Sequence, residues 1–169
     1  PILTASRALF GAGEDIAARI RREVREELGL GASAGVAPCK FVAKIASDLD
    51  KPDGLVVVRP GEERAFLAPL PVERMWGVGP KAASRLRDAG VSTLGDLAAT
   101  DGAFLERHLG RWGREAGRLA RGIDDRPVEP HREAKSVGAE ETYDEDLTTR
   151  AEIERTLLAH AERVAGRLH

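Results

Sequence analysis

The sequence contains few aromatic residues, one cysteine and no long hydrophobic run. Aromatic side chains make up 4% of the 169 residues, so a core must be built from Ala, Val, Leu and Ile. The single cysteine, Cys39, excludes an intramolecular disulfide framework and is compatible with a reducing compartment. No segment reaches the length of a membrane span, and no charged-then-apolar leader opens the chain. We therefore expect a soluble cytoplasmic protein with no membrane partner.

The overall composition is that of a globular protein, with 42% hydrophobic and 32% charged residues. The net charge is −2, which argues against a simple polyanion binder. The charge is unevenly distributed, however: residues 77–135 carry 11 basic and 9 acidic side chains, and residues 136–169 carry 4 and 8. The mildly basic middle permits contact with phosphate groups without requiring it.

The first 59 residues alternate between helical and strand patterns. Ile16, Ile20, Val24 and Leu28 recur at steps of four, which predicts a helix over 14–28 with one buried stripe. Short apolar runs predict strands over 32–37 and 55–58, with a helix over 39–49 between them. Helix, strand, helix and strand within this length indicate an α/β layer.

The pattern changes at residue 60 to short helices joined at glycines. We expect helices over 62–67, 80–89, 94–98, 104–109 and 112–121, which would form a small all-helical domain over 60–125. Two prolines make 126–134 an extended linker. A strand over 136–143 and a helix over 149–168 would then begin another domain, 135–169, that is incomplete. The predicted fold class is α+β.

The sharpest local signal is the segment 75–86, which contains Gly77, Val78, Gly79 and Lys81. An apolar-Gly-apolar-Gly turn that opens a helix is the helix-hairpin-helix pattern. Its glycines let the backbone approach a phosphate, and the helix N-terminus offers unpaired N–H groups. We also expect Gly79 to need backbone angles that a β-branched residue tolerates poorly. Such a hairpin binds the DNA backbone without reading bases, although a simple glycine-rich helix connection would have a similar sequence.

A second signal is the turn Lys51-Pro52-Asp53-Gly54, which follows the helix predicted over 39–49. Proline and glycine fix the conformation of such a turn. A lysine held there can direct its ammonium group at a phosphate, although a lone lysine is more commonly a solvated surface residue.

Four blocks in order resemble the Y family of translesion DNA polymerases, in particular its DNA polymerase IV branch. The segment 33–54 is similar to the end of the palm domain, and 70–79 to the start of the thumb. Residues 120–128 resemble the end of the thumb, and 135–138 with Glu140 the first strand of the little finger. The resemblance implies a partial palm over 1–59, a helical thumb over 60–125, the linker, and the start of a little finger.

The resemblance also implies roles for individual residues. Lys51 would contact the triphosphate of the incoming deoxynucleoside triphosphate. The hairpin would hold the primer strand and the little finger the template strand, and the DNA-binding residues would be Gly77, Val78, Gly79, Lys81, Lys135, Ser136, Val137 and Gly138. Two departures stand out: Cys39 replaces a usual Asn, and Glu141 lies near a position that is often basic.

Family members transfer nucleotides with Mg²⁺ held by an N-terminal Asp and an Asp-Glu pair. The pair should precede Thr4, and Pro1-Ile2-Leu3 does not supply it. We therefore assign no catalytic residue and no metal ligand in this chain, and expect it to be inactive alone although its parent is an enzyme. A sliding clamp would bind the parent through a C-terminal tail. The alternative is a non-catalytic helix-hairpin-helix module of a polymerase-like or nuclease accessory protein.

Overall fold

A computed structural model describes residues 7–129 and 136–167 and places them in two compact units, one ending at Val128 and one beginning at Glu129. Both contain helices, and the first also contains a small parallel sheet, so the α+β class is confirmed. No helix among the described residues combines the length and the hydropathy needed to cross a bilayer.

The first unit begins with a parallel βαβ arrangement. Strand β1 (Ala34–Val36) pairs in parallel with β2 (Leu55–Val57), and Ala34 is opposite Leu55. Helix α3 (Lys40–Leu49) makes the crossover and packs on both strands. Helices α1 (Arg7–Phe10) and α2 (Gly13–Leu28) precede the sheet, and α2 contacts both strands.

The stripe predicted on α2 is only partly buried. Ile16 is buried, whereas Ile20 is 44% and Leu28 64% exposed. The prediction of one continuous buried stripe was therefore wrong for these residues. The physical reason is the size of the sheet, since two strands of three residues each are too short to cover a helix of 16 residues.

Short helices form the rest of the first unit, close to the predicted bounds. They are α4 (Glu63–Leu67), α5 (Pro80–Asp88), α6 (Leu94–Ala99), α7 (Gly102–Leu109) and α8 (Gly113–Ala120), with 3₁₀ turns at Val72–Arg74 and Gly110–Trp112. One hydrophobic core runs without interruption from Phe41 on α3 to Leu119 and Ala120 on α8. The proposed palm–thumb boundary after residue 59 thus crosses a shared core and stays a prediction.

Asp124 attaches the end of the helical part to α3. Its carboxylate accepts a hydrogen bond from the backbone N–H of Phe41, in the first turn of α3, at 3.1 Å. Arg126 donates to the same carboxylate from Nε at 2.6 Å and from Nη2 at 3.0 Å. The Asp124 side chain is 0% exposed, and the Arg126 guanidinium lowers its pKa. A carboxylate at this position satisfies an N–H group that the helix itself leaves unpaired.

The described part of the second unit is an irregular segment followed by α9 (Arg150–Arg167). The strand predicted over 136–143 is absent, because the segment pairs with no other strand among the described residues. Instead it is bound to α9: Arg163 donates to Glu141 at 2.5 Å, and Arg167 donates to the carbonyl of Gly138 at 2.6 Å. An extended segment needs a neighbouring strand to form a ladder, and side-chain bonds replace that ladder here.

Candidate functional site

A cleft of about 520 Å³ in the first unit brings two of the predicted sites together. Lys51 and other residues of the α3 region line one side, and Gly77 and Val78 of the hairpin line the other. Lys51 and Gly77 are 26 residues apart in the sequence, and the common core places them at one opening. A cationic side chain and a glycine turn therefore face the same volume.

The turn that carries Lys51 is closely packed. The Lys51–Pro52 peptide bond is cis, and Asp53 has a φ of 57°, in the left-handed region where Asp is tolerated better than most residues. Gly54 has no room for a side chain, because a Cβ atom there would lie 1.9 Å from the carbonyl oxygen of Asp50. Arg21 and Arg25 on α2 both form ion pairs with the carboxylate of Asp53. The Asp53–Gly54 part of the turn is thus held in place, whereas Lys51 and Pro52 are exposed.

Asp48 sets the electrostatics of the α3 side. Its carboxylate pairs with Lys44 at 2.5 Å and also with Lys51. Hydrogen bonds from Lys44 and then Lys51 lower the pKa of Asp48 to about 2, so the carboxylate is ionised at neutral pH. All three side chains line the cleft, and the Lys51 side chain is 58% exposed. Lys51 therefore remains accessible to a ligand while its ammonium is held near α3.

The hairpin joins the 3₁₀ turn Val72–Arg74 to α5. Val78 donates to the carbonyl of Met75 at 3.0 Å, which closes the turn, and both side chains are buried. The N–H groups of Gly77, Gly79 and Lys81 donate to no acceptor among the described residues. Unpaired N–H groups at the start of a helix form a favourable environment for an anion. The Lys81 residue is exposed in the same turn.

The two hairpin glycines differ in a way that the sequence did not indicate. Gly77 has a φ of 98°, and a Cβ there would lie 3.3 Å from the ring of Trp112. Gly79 has φ −78° and ψ 172°, which any residue adopts, and a Cβ there would meet no atom within 4 Å. The expectation that Gly79 needs special backbone angles was therefore wrong. The backbone conformation requires glycine at Gly77, and Gly79 faces open space.

The predicted residues of the second unit lie at the start of the segment bound to α9, and Gly138 accepts one of the bonds from that helix. Ser136 and Gly138 are exposed, Val137 is partly buried, and their N–H groups donate to no acceptor among the described residues. Lys135 lies outside the described residues. Glu141, which was expected to weaken contact with a phosphate backbone, is paired with Arg163, and this contact lowers its pKa. Its charge is partly neutralised within the unit.

Trp76 and the lysines of α3 lie next to the predicted site, and the sequence analysis gave them no role. Trp76, directly before Gly77, is 69% exposed. It also lines a second cleft of about 470 Å³, together with Lys40, Lys44 and Arg126. Lys40 and Lys44 are spaced by four residues, which places them on one face of α3. That spacing could have indicated a cationic face.

The described residues do not include a site that fits Mg²⁺. Within 7–129 and 136–167, no three His, Cys, Asp or Glu side chains are close enough together to hold a metal ion. Asp48 already bonds two lysines, and Asp124 bonds Arg126 and a backbone N–H. Carboxylates that are paired in this way are not free for a hard cation, which takes several oxygen ligands.

Three models of one protein family match successive parts of the chain. The impB/mucB/samB family matches residues 2–48, the HHH motif of the IMS family residues 60–91, and the impB/mucB/samB family C-terminal domain residues 134–169. The middle match contains the hairpin with Gly77, Val78, Gly79 and Lys81. The helix-hairpin-helix prediction is therefore confirmed as a motif, and its ligand is a separate question.

Curated relatives and a solved structure agree with these matches. The chain is 48% identical over 166 residues to a DNA polymerase IV of Desulfatibacillum aliphaticivorans, covering 98% of this chain and 42% of that protein. A DNA polymerase IV of Ralstonia nicotianae is 50% identical over 166 residues, with 98% and 46% covered. A post-insertion binary complex of Dbh DNA polymerase superposes with a TM-score of 0.73 at 28% identity, covering 98% of this chain and 49% of that one. The chain thus spans less than half the length of these relatives, and the resemblance to Y-family polymerases is confirmed.

Proposed function

The chain belongs to the impB/mucB/samB family, and we propose that it is part of an error-prone DNA-directed DNA polymerase that copies damaged template by nucleotidyl transfer. Its own contribution is to bind primer–template DNA and to contact the incoming nucleotide. The observation that carries this proposal is the cleft shared by Lys51 and the hairpin residues Gly77 and Val78. A polymerase must bring a triphosphate next to the end of the primer. In this cleft Lys51 is suited to the triphosphate, and the hairpin is suited to the primer backbone.

In this proposal Lys51 binds the triphosphate of the incoming deoxynucleoside triphosphate. Its ammonium supplies a charge-assisted hydrogen bond, and the packed turn at Asp53 and Gly54 limits where that charge can lie. Because the turn is fixed before the ligand arrives, little conformational entropy is lost when the ligand binds.

The hairpin binds the primer backbone through the unpaired N–H groups of Gly77 and Gly79 and the charge of Lys81. The segment Ser136, Val137 and Gly138, with Lys135 beside it, binds the template strand mainly through main-chain N–H groups. Such contacts position DNA without selecting a sequence, which suits an enzyme that must accept any template.

A polymerase is favoured over the alternative of a non-catalytic accessory module. An accessory module needs the hairpin but no cation aimed into the same cleft, whereas Lys51 lies there. Two relatives that cover 98% of this chain are named DNA polymerase IV, not a nuclease or its accessory protein.

The whole enzyme would use Mg²⁺ held by residues other than those described here, and it would work in the cytoplasm. The metal would neutralise charge on the triphosphate. A sliding clamp would be a partner of the whole enzyme. The described residues would bind the triphosphate and the DNA rather than the metal.

Fluorescence anisotropy on a labelled duplex tests the DNA-binding part. The 169-residue chain should bind weakly, without sequence preference, and less tightly as salt increases. Gly79→Val should abolish binding, because its side chain would project into the open space where a phosphate must approach. Gly79→Ala, with a smaller side chain, should lose less affinity. Equal affinity of folded wild type and folded Gly79→Val would show that the hairpin is only a helix connection.

Primer extension with Mg²⁺ and four deoxynucleoside triphosphates tests the assignment of catalysis. The chain alone should give no extended product, because the described residues hold no metal site. Template-directed extension by a clean preparation would contradict that assignment.

A further inference from the structure

Trp76 is the large aromatic side chain that the first unit leaves most exposed, at 69%. Trp76, together with Lys44, lines both clefts. Its neighbours Met75 and Val78 in the same turn are buried. A turn that buries the residues around a tryptophan and leaves the ring at an opening presents an apolar face to a ligand.

The two clefts that Trp76 lines carry an excess of positive charge. Their lining includes five cations, namely Lys40, Lys44, Lys51, Arg74 and Arg126. Only two carboxylates, Asp48 and Glu73, line them. Arg126 is paired with Asp124, and Glu73 is paired with Arg87 outside the clefts. Lys40 donates to the carbonyl of Pro127 rather than to a carboxylate. The surroundings of the indole therefore favour an anionic ligand.

Lys44 is the cation best placed to act with Trp76. It shares Asp48 with Lys51, so one carboxylate faces two ammonium groups. A phosphate bound at Lys44 would leave Asp48 paired with Lys51 and would not strand a carboxylate without a partner. The Lys44 side chain is 56% exposed, which leaves it accessible from the clefts.

Building on the proposed function, we infer that Trp76 and Lys44 form a nucleotide subsite, in which a base stacks on the indole and its phosphate lies at Lys44. Every base has a π-face, so a tryptophan platform accepts all four, and a nearby cation secures the phosphate. The same chemistry is offered by a nucleotide within a DNA strand and by a free nucleoside triphosphate. Neither Gly77 nor Lys51 is required for the stacking itself.

Intrinsic fluorescence and affinity of the 169-residue chain test the subsite. The chain contains two tryptophans, so the difference between wild type and Trp76→Phe isolates the signal of Trp76 from that of Trp112. The ligands are a single-stranded oligothymidylate of twelve nucleotides and, separately, dTTP. Stacking should quench the Trp76 signal. Quenching by the oligonucleotide identifies a DNA strand as a ligand, and quenching by dTTP identifies the free nucleotide.

The affinity of variants for the ligand that quenches, and its salt dependence, should distinguish the contribution of stacking on Trp76 from that of the charge on Lys44. Trp76→Ala should weaken binding by about 5- to 150-fold, the loss of one stacked base, whereas Trp76→Phe keeps an aromatic face and should retain most of the affinity. Trp76→Ala should leave the salt dependence of binding unchanged. Lys44→Ala should lower the slope for the oligonucleotide by about 0.7, one phosphate contact fewer. Arg59→Ala removes an exposed cation that lines neither cleft and should change neither quantity.

Two results would overturn the inference and have different consequences. In the first, wild type shows no quenching of the Trp76 signal, and Trp76→Ala is folded by circular dichroism and binds as tightly as wild type. The subsite is then wrong and the DNA-binding proposal stands. If wild type binds neither these ligands nor duplex DNA, the proposed function fails and the subsite with it.

Discussion

Arg21 and Asp53 are 32 residues apart in sequence, and one guanidinium joins them through two groups of the aspartate. Nη2 of Arg21 donates to the backbone carbonyl of Asp53 and, at 3.2 Å, to its carboxylate. Nε of Arg21 donates to the carbonyl of Ala32 at 2.9 Å, just before β1. Arg21 thus holds the turn after Lys51 against the start of the neighbouring strand, which makes it a positioning residue for Lys51.

Arg21→Ala should lower the free energy of unfolding by about 1.5–3 kcal/mol, because partly buried carbonyl groups would lose a charged donor. Arg21→Lys should recover little of this, since one ammonium cannot reproduce the planar fork. Urea unfolding followed by circular dichroism is the measurement. Arg22→Ala, which removes the exposed neighbour, is the control. Equal stability of the Arg21 and Arg22 variants would show that this bond network does not fix the turn.

Lys51→Ala should raise the KM for the nucleotide more than it weakens DNA binding, in a full-length polymerase that carries this segment. Loss of one charge-assisted contact to phosphate corresponds to roughly a ten- to a hundred-fold change. Lys81→Ala should show the opposite pattern, with weaker DNA binding and a similar KM. Steady-state extension kinetics and anisotropy give the two quantities. Unchanged nucleotide kinetics in Lys51→Ala would return Lys51 to an ordinary surface role.

Gly77→Ala and Gly79→Ala should differ in stability although they lie two residues apart. Gly77→Ala forces a side chain into a positive φ and against the ring of Trp112, which should cost about 1–3 kcal/mol. Gly79→Ala has ordinary angles and open space, and should be neutral or stabilise by up to about 1 kcal/mol. Urea unfolding of both variants measures the difference. A larger loss at Gly79 would contradict the hairpin conformation.

Asp124→Ala should destabilise the chain by about 1–3 kcal/mol at neutral pH, because Phe41 N–H and Arg126 lose their common acceptor. The Arg126 guanidinium lowers the pKa of Asp124 below its ordinary value of 3.8. A lowered pKa stabilises the fold above the unfolded-state value, and this stabilisation is lost as the pH falls through the folded-state value. The difference from wild type should therefore shrink below about pH 4.

Unfolding at a series of pH values measures this effect, and Asp125→Ala is the matched control. The Asp125 side chain is 80% exposed and should contribute little at any pH. A difference between wild type and Asp124→Ala that persists unchanged to low pH would assign the effect to packing rather than to charge.

The sequence predicted the elements whose signals are local. The helices from α3 to α9 follow apolar spacing and glycine positions, so their bounds agree with prediction to within two residues. The strand over 136–143 was wrong because pairing depends on a partner strand, which no local pattern contains. Likewise, the stripe on α2 was correct as an amphipathic pattern, but its burial depends on how much sheet lies beneath it.

The sequence predicted which residues belong to the candidate site but not how they are arranged in space. The hairpin was found from its glycine pattern, and Lys51 from its turn together with the family resemblance. Their meeting at one cleft depends on the core between α3 and α8. Gly77 and Gly79 look equivalent in the sequence, and only backbone angles distinguish them. Trp76 lies within the motif, but its exposure is set by the fold and cannot be predicted from the sequence. The assigned roles in DNA and nucleotide binding stay predictions.

The continuous core between α3 and α8, with Asp124 attached to α3, has a consequence for a broken chain. Gly61 lies in an exposed turn, and a Cβ atom there would meet no atom within 4 Å. It separates the segment that contains α1 to α3 from the segment that contains α4 to α8, and both contribute residues to the core. The buried residues and the Asp124 bonds join both segments directly, so these contacts remain when the chain is broken at that turn. Two separately expressed peptides that end and begin at Gly61 should therefore reassemble by complementation into the native unit.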